Sequence, residues 1–174
     1  PNIKLIVKTY PDSICEEVVM NEKADLAVSI GPINEKTFNS IAIKSQYPCI
    51  LVNKKNPLSK KTSVDFKELK NEKFIILNEK FHFYHNFINK CRESGFEPNI
   101  VFTTSEIITV HKLRHFNKCI GISIDFMAKD INYEDIYPIS FKDPSFTWEI
   151  CLITKKHRFQ PNLVKIFTNY MLNY

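Results

Sequence analysis

Four short stretches combine hydroxyl, amide and turn-forming residues in a way that suits ligand capture. They are Pro11-Asp12-Ser13, Ser29-Ile30-Gly31-Pro32, Asn78-Glu79-Lys80-Phe81 and Thr103-Thr104-Ser105. Three of the four run directly into a helical pattern. Free backbone N–H groups and the positive end of a helix dipole would face anything bound there. The hydroxyls of Thr103, Thr104 and Ser105 add adaptable donors and acceptors. The chemistry this predicts is capture of a small molecule bearing a carboxylate or another anionic group. Each stretch taken alone is ordinary helix capping, and only their combination points to binding.

Other chemistry finds little support. There is no GxSxG elbow, no HExxH and no phosphate-cradling glycine loop. Glu16-Glu17 and Glu134-Asp135 are sequence neighbours, which point apart on a helix and read as solvated charge. His111 and His115 stand four apart on one predicted helix but lack a matching Asp, Glu or Cys, so they read as a solvated face. His82 and His85 flank aromatics at the start of another helix and are candidates for a pocket rim. The five cysteines are widely spaced, with no CxxC pair, and most have apolar neighbours. Buried free thiols in a reducing compartment are the expectation. No enzyme activity, metal or cofactor is predicted.

The elements that would position these stretches alternate. Apolar residues at Ile3, Leu5 and Val7 predict a strand over 2–8, and Ser13 with Glu16 predicts a capping box opening a helix to about Lys23. A strand over 25–30 follows, implying a parallel crossover. Further strands are predicted over 47–52, 74–77, 100–102, 119–124, 136–141 and 148–154. A short helix covers 65–69. A longer one carries Phe81, Tyr84, Phe87, Ile88 and Cys91 and stops at Gly95. Thr103 and Glu106 predict a second box, opening a helix to about Phe116. Pro161 opens a closing helix that would bury Leu163, Phe167, Tyr170 and Met171. Strands alternating with helices make this an α/β fold with mainly parallel sheets. Ligands in such sheets bind beyond the carboxyl ends of the strands, where the four stretches lie.

Composition agrees with a folded ligand binder. Of 174 residues 44% are hydrophobic, with 14 Phe and 7 Tyr, which argues against disorder. The net charge of +5 is spread along the chain, so no basic stripe for DNA forms. Its densest run, Lys155-Lys156-His157-Arg158, reads as a solvated turn. No apolar run reaches the roughly 20 residues that span a bilayer, and no secretory signal opens the sequence.

The order of these segments resembles the effector-binding domain of LysR-type transcriptional regulators over nearly the whole chain. Pro1 to Val7 is similar to the family's P-x-I-x-L-x-V strand, and Asp25-Leu26-Ala27-Val28 to its D-L-A-I segment. Asn56-Pro57-Leu58-Ser59 stands where H-P-L-A is common, Asp65 to Leu69 resembles L-x-D-L, and Gly95-Phe96-Glu97-Pro98 resembles G-F-x-P. Cys119 to Ile124 resembles G-L-G-I-A-L-L-P, with Cys119 replacing a glycine and Phe126 standing where a proline is common.

The resemblance implies a two-lobed, periplasmic-binding-protein-like (type II) fold. One lobe is expected over residues 1–48 and 143–174 and the other over 49–142, with the ligand in the cleft between them. Implied contacts are Gly31 and Pro32 from the first lobe and Asn78, Phe81, Thr103, Thr104 and Ser123 from the second. The implied partner is a small-molecule effector such as a carboxylate or amino acid. DNA is expected to be touched only through a winged helix outside this sequence, as are the family's first strand and helix of the domain. A cytoplasmic homodimer or homotetramer is expected, away from membranes. The alternative is a transport receptor of the same fold, which would need a secretory signal or lipid anchor.

Overall fold

Runs of buried β-branched and aromatic residues set the larger sheet. Ile50, Leu51, Val52, Phe74 and Ile76 are each 0% exposed, as strands covered on both faces must be. The computed structural model describes residues 4–116, 118–129 and 135–173. Its helices are α1 (Asp12–Met20), α2 (His82–Glu93), α3 (Ile107–Phe116), α4 (Asp125–Lys129) and α5 (Asn162–Leu172). Its strands are β1 (Ala27–Ile30), β2 (Phe38–Gln46), β3 (Pro48–Asn53), β4 (Ser63–Val64), β5 (Lys73–Leu77), β6 (Asn99–Thr104), β7 (Ile120–Ile124), β8 (Ile136–Phe141) and β9 (Trp148–Lys155). The chain divides into two compact units, Pro1–Ser45 with Glu149–Tyr174, and Gln46–Trp148.

The central unit holds a six-stranded sheet in the order β4-β8-β3-β7-β5-β6. β5 pairs in parallel with β6 and β7, and β4 with β8, whereas β3 runs antiparallel to β7 and β8. An aromatic cluster packs against this sheet. Phe66 stacks on Phe141 at 4.6 Å, Phe74 meets Phe87 edge-on at 5.2 Å, and Phe83 lies 5.7 Å from Phe146. Such pairs contribute about 0.5–1.5 kcal/mol each beyond burial. The cluster decides which face of α2 turns inward. Phe83, Phe87 and Cys91 are buried, while Phe81, Tyr84 and Ile88, expected on the buried stripe, are only half-buried. Gly95 ends this segment as predicted, at φ +87°, where its N–H donates to the Arg92 carbonyl and that of Phe96 to the Cys91 carbonyl. The predicted short helix is a 3-10 turn, Phe66–Leu69, held by a complete Asp65–Glu68 capping box. The short helix α4 has no counterpart in the sequence reading.

In the other unit β9 lies between β1 and β2. Val19, Phe38, Cys151 and Ile153 form its buried core, with Ala24, Ala27 and Ile33 packed around it. Several expectations fail here. Residues 4–10 form no strand, and Leu5, Ile6 and Val7 are 61%, 71% and 77% exposed. Alternation alone makes no strand without a neighbouring edge to bond, and none of the described residues supplies one. β1 therefore enters no parallel crossover but pairs antiparallel with β9, Ala27 opposite Ile153. α1 starts at Asp12 with Pro11 as its cap, so Ser13 falls inside the helix and the predicted box does not form. The polar stretch before Tyr47 forms β2. Along α5 it is Val164 that is buried, whereas Leu163 and Tyr170 are exposed.

The basic turn after β9 is a clamp as well as a solvated surface. Lys155 Nζ lies 2.7 Å from Glu22 Oε1, and Arg158 donates to Asp25 Oδ1 at 3.2 Å. These pairs tie the turn to the segment between α1 and β1.

Candidate functional site

Parallel pairing brings the carboxyl ends of β6, β5 and β7 to one edge of the central unit. Leu77 stands opposite Thr104, and the Asn78 N–H extends the ladder by donating to the Thr104 carbonyl at 2.8 Å. Asn78 then turns the chain. Its Oδ1 accepts from the Lys80 N–H at 3.1 Å, and its carbonyl accepts from the Phe81 N–H at 3.1 Å. Phe81 caps α2 in an extended conformation, with no side-chain hydrogen bond to the first turn. The N–H groups opening α2 therefore receive no oxygen from the capping side chain.

Thr103 and Thr104 end β6 rather than opening a helix. The predicted Thr103–Glu106 box is replaced by a tighter turn in which Thr104 Oγ1 accepts from the Glu106 N–H at 3.2 Å. That bond uses an acceptor lone pair and leaves the Thr104 hydroxyl proton for another acceptor. Thr103 is exposed beside it. Four expected contacts, Asn78, Phe81, Thr103 and Thr104, thus share one edge.

Ser123 lies near the same end of β7 but faces inward. It is 0% exposed, and its Oγ is 2.7 Å from His111 Nε2 of α3. His111 is itself 1% exposed, which corrects the solvated-face reading. Burial pushes its pKa below the ordinary histidine value, so the ring is neutral at pH 7. Its Nδ1 has no hydrogen-bond partner among the described residues. Its neighbour Val110 is also fully buried, and Ile107 one turn earlier is half-buried, so this face of α3 turns inward. The His115 side chain lies outside the described residues.

Gly31 and Pro32 belong to the other unit. The Gly31 N–H donates to the Glu149 carbonyl at 2.9 Å, and a Cβ at Gly31 would come within 3.3 Å of Glu149 Oε2. The added methyl would be tolerated only if the Glu149 carboxylate moved by a few tenths of an ångström. The Gly31–Pro32 peptide is cis, and Pro32 is exposed. Nearby, buried Ser29 donates to Glu16 Oε1 at 3.3 Å. His85, expected at a pocket rim, lines a surface cavity of about 310 Å³ beside α2, its Nε2 bonded to the Glu79 carbonyl at 2.8 Å.

Among the described residues no three His, Cys, Asp or Glu side chains are placed to hold a metal. Burial pushes the thiols of Cys49 and Cys91 up to about 12, so neither is a thiolate at neutral pH. No helix of the described residues is long and apolar enough to cross a membrane.

All of residues 1–174 match the family model described as LysR substrate binding domain. The chain belongs to this family. Curated relatives of the LysR-type domain are HTH-type transcriptional regulators of Bacillus subtilis (strain 168). Uncharacterized regulator YwbI is 26% identical over 144 residues, 83% of this chain and 48% of that protein. AlsR is 27% identical over 109 residues, covering 61% of this chain and 36% of AlsR. The chain thus spans about half the length of YwbI, and less of AlsR. Among solved structures, the effector-binding domain of QuiR in complex with shikimate superposes with a TM-score of 0.82 at 20% identity, covering 95% of this chain and 78% of that one. The Synechocystis PCC6803 CcmR regulatory domain in complex with 2-PG gives 0.87 at 11% identity, covering 99% and 84%. These likenesses establish the fold, the two-lobed periplasmic-binding-protein-like (type II) α/β class that the resemblance implied.

Proposed function

We propose that this LysR-type domain senses a small anionic effector, and that the carboxyl edge of β5 and β6 holds it. Whole-chain membership of the family carries the first part of this reading. The second is supported by the gathering of Asn78, Phe81, Thr103 and Thr104 at one strand edge, with a helix start whose capping residue offers no side-chain oxygen and an available hydroxyl proton. Gly31 and Pro32 are a second proposed contact set. Ser123 contributes through its bond to His111 rather than by an exposed hydroxyl. The domain binds without turning its ligand over, so it is not an enzyme. It works in the cytoplasm as part of a homodimeric or homotetrameric regulator, with DNA contacted through a domain outside these residues. The effector acts by stabilising one conformation over another.

A melting screen against small carboxylates and amino acids tests this. An effector at about a hundredfold over its dissociation constant adds about 2.7 kcal/mol of stability. Thr104→Val is expected to melt like the parent without ligand and to lose most of the ligand-induced rise. Equal affinity in parent and variant would remove this edge from the site.

A further inference from the structure

A second cavity lies at the other end of the same strands. It measures about 310 Å³ and is lined by Lys73, Ile75, Val101, Phe102, Leu113 and Cys119. Lys73 opens β5, Cys119 immediately precedes β7, and Leu113 belongs to the later half of α3. This places the cavity toward the amino-terminal ends of the parallel strands, whereas Thr104 ends β6 and Asn78 follows the carboxyl end of β5.

Its lining has a definite chemistry. Among the described lining residues, Ile75, Val101, Phe102 and Leu113 are apolar, Cys119 is a soft neighbour, and Lys73 carries the charge. Val101 and Phe102 are 48% and 46% exposed on the edge strand β6, so apolar surface is left in water there. The Lys73 ammonium makes no salt bridge or side-chain hydrogen bond among the described residues. The cavity beside α2 differs in this respect, because its cation, Arg92, is already paired with Glu97 at 2.6 Å. Apolar walls with one uncommitted cation match a ligand that has an apolar body and a single anionic end. The volume equals that of about ten waters at about 30 Å³ each, which limits the ligand to a small molecule.

We propose that this cavity is a second ligand site, separate from the effector edge, for a small monocarboxylate with an apolar body. The body lies against Ile75, Val101, Phe102 and Leu113, and the carboxylate meets Lys73. Its occupancy covers Cys119.

Octanoate is the probe and octylamine its charge-reversed control. Two readouts are taken on the intact chain, the iodoacetamide alkylation rate at Cys119 located by peptide mass, and the melting temperature. Octanoate is expected to slow alkylation at Cys119 several-fold and raise the melting temperature, while Cys15 reacts at an unchanged rate. Octylamine should do neither. Lys73→Gln, a change at an exposed position, should raise the octanoate needed for half-protection about tenfold, equivalent to about 1.4 kcal/mol. Thr104→Val should leave protection intact, which separates this site from the effector edge. The proposal is overturned if octanoate changes neither readout, if octylamine acts equally well, or if Thr104→Val abolishes protection while Lys73→Gln preserves it.

Discussion

At the scale of single residues, the buried His111–Ser123 pair sets a pH dependence. Burial depresses the folded pKa of His111 below its ordinary value of 6.5. As pH falls, the unfolded chain therefore takes up the proton first. The stability linked to this group is complete above about pH 6.5 and is lost as pH falls toward the folded value. Glu68 and Asp143 are held below their ordinary ranges by hydrogen bonds, Glu68 at about 2 and Asp143 by Lys90, so their losses come in more acidic solution. His111→Gln keeps a polar group for Ser123 without titrating in this range. Urea midpoints at pH 5.5 and 7.5 should differ less in the variant than in the parent, and equal differences would exclude His111 as the source. Sequence did not show this pair because a lone histidine at helical spacing looks the same inside or out. The shared strand edge of Asn78, Thr103 and Thr104, the proposed contacts, was legible because it is local: they are polar residues ending apolar runs.

At the scale of elements, legibility follows how local the determinant is. The short turn after Asp65 and the Gly95 stop are both contained within a few residues, and both stand where the sequence puts them, the turn closed by an Asp65–Glu68 box that the sequence reading did not name. Gly95→Ala would force a side chain into φ +87°. With nothing within 4 Å of the added Cβ, the cost is conformational, about 1–2 kcal/mol. Denaturant midpoints measure it, and a loss near zero would mean the turn relaxes. Elements decided by distant partners were misread. β2 escaped notice because it is exposed over most of its length, burying only Phe38 and Gln46 at its ends. The α2 stripe was misread because Phe146, Phe66 and Phe74, all distant in sequence, decide which aromatics turn inward.

At the scale of the molecule, each unit has its own core. Val19 packs with Phe38, Cys151 and Ile153, whereas Phe146 packs with Phe66, Phe83, Phe87 and Phe141. Phe146→Ala should cost about 3–5 kcal/mol. Combined with Val19→Ala, the two losses should add to within about 0.5 kcal/mol, because the described packing partners of the two residues are different. A double-mutant cycle from urea titrations checks this, and a larger coupling would reveal a shared core. The order of segments that resembles the LysR-type domain was readable because it is a linear property, while strand direction in the smaller sheet depends on which edges meet. One member of the aromatic cluster has a further use. Trp148 is the sole tryptophan, 9% exposed and 4.6 Å from Phe83 on α2, the helix whose first turn follows the Asn78–Phe81 turn proposed to hold the effector. All indole fluorescence of the chain therefore arises beside that helix. The protein carries its own optical probe, and a change in emission colour or quenching on titration reads the surroundings of α2 without any added label.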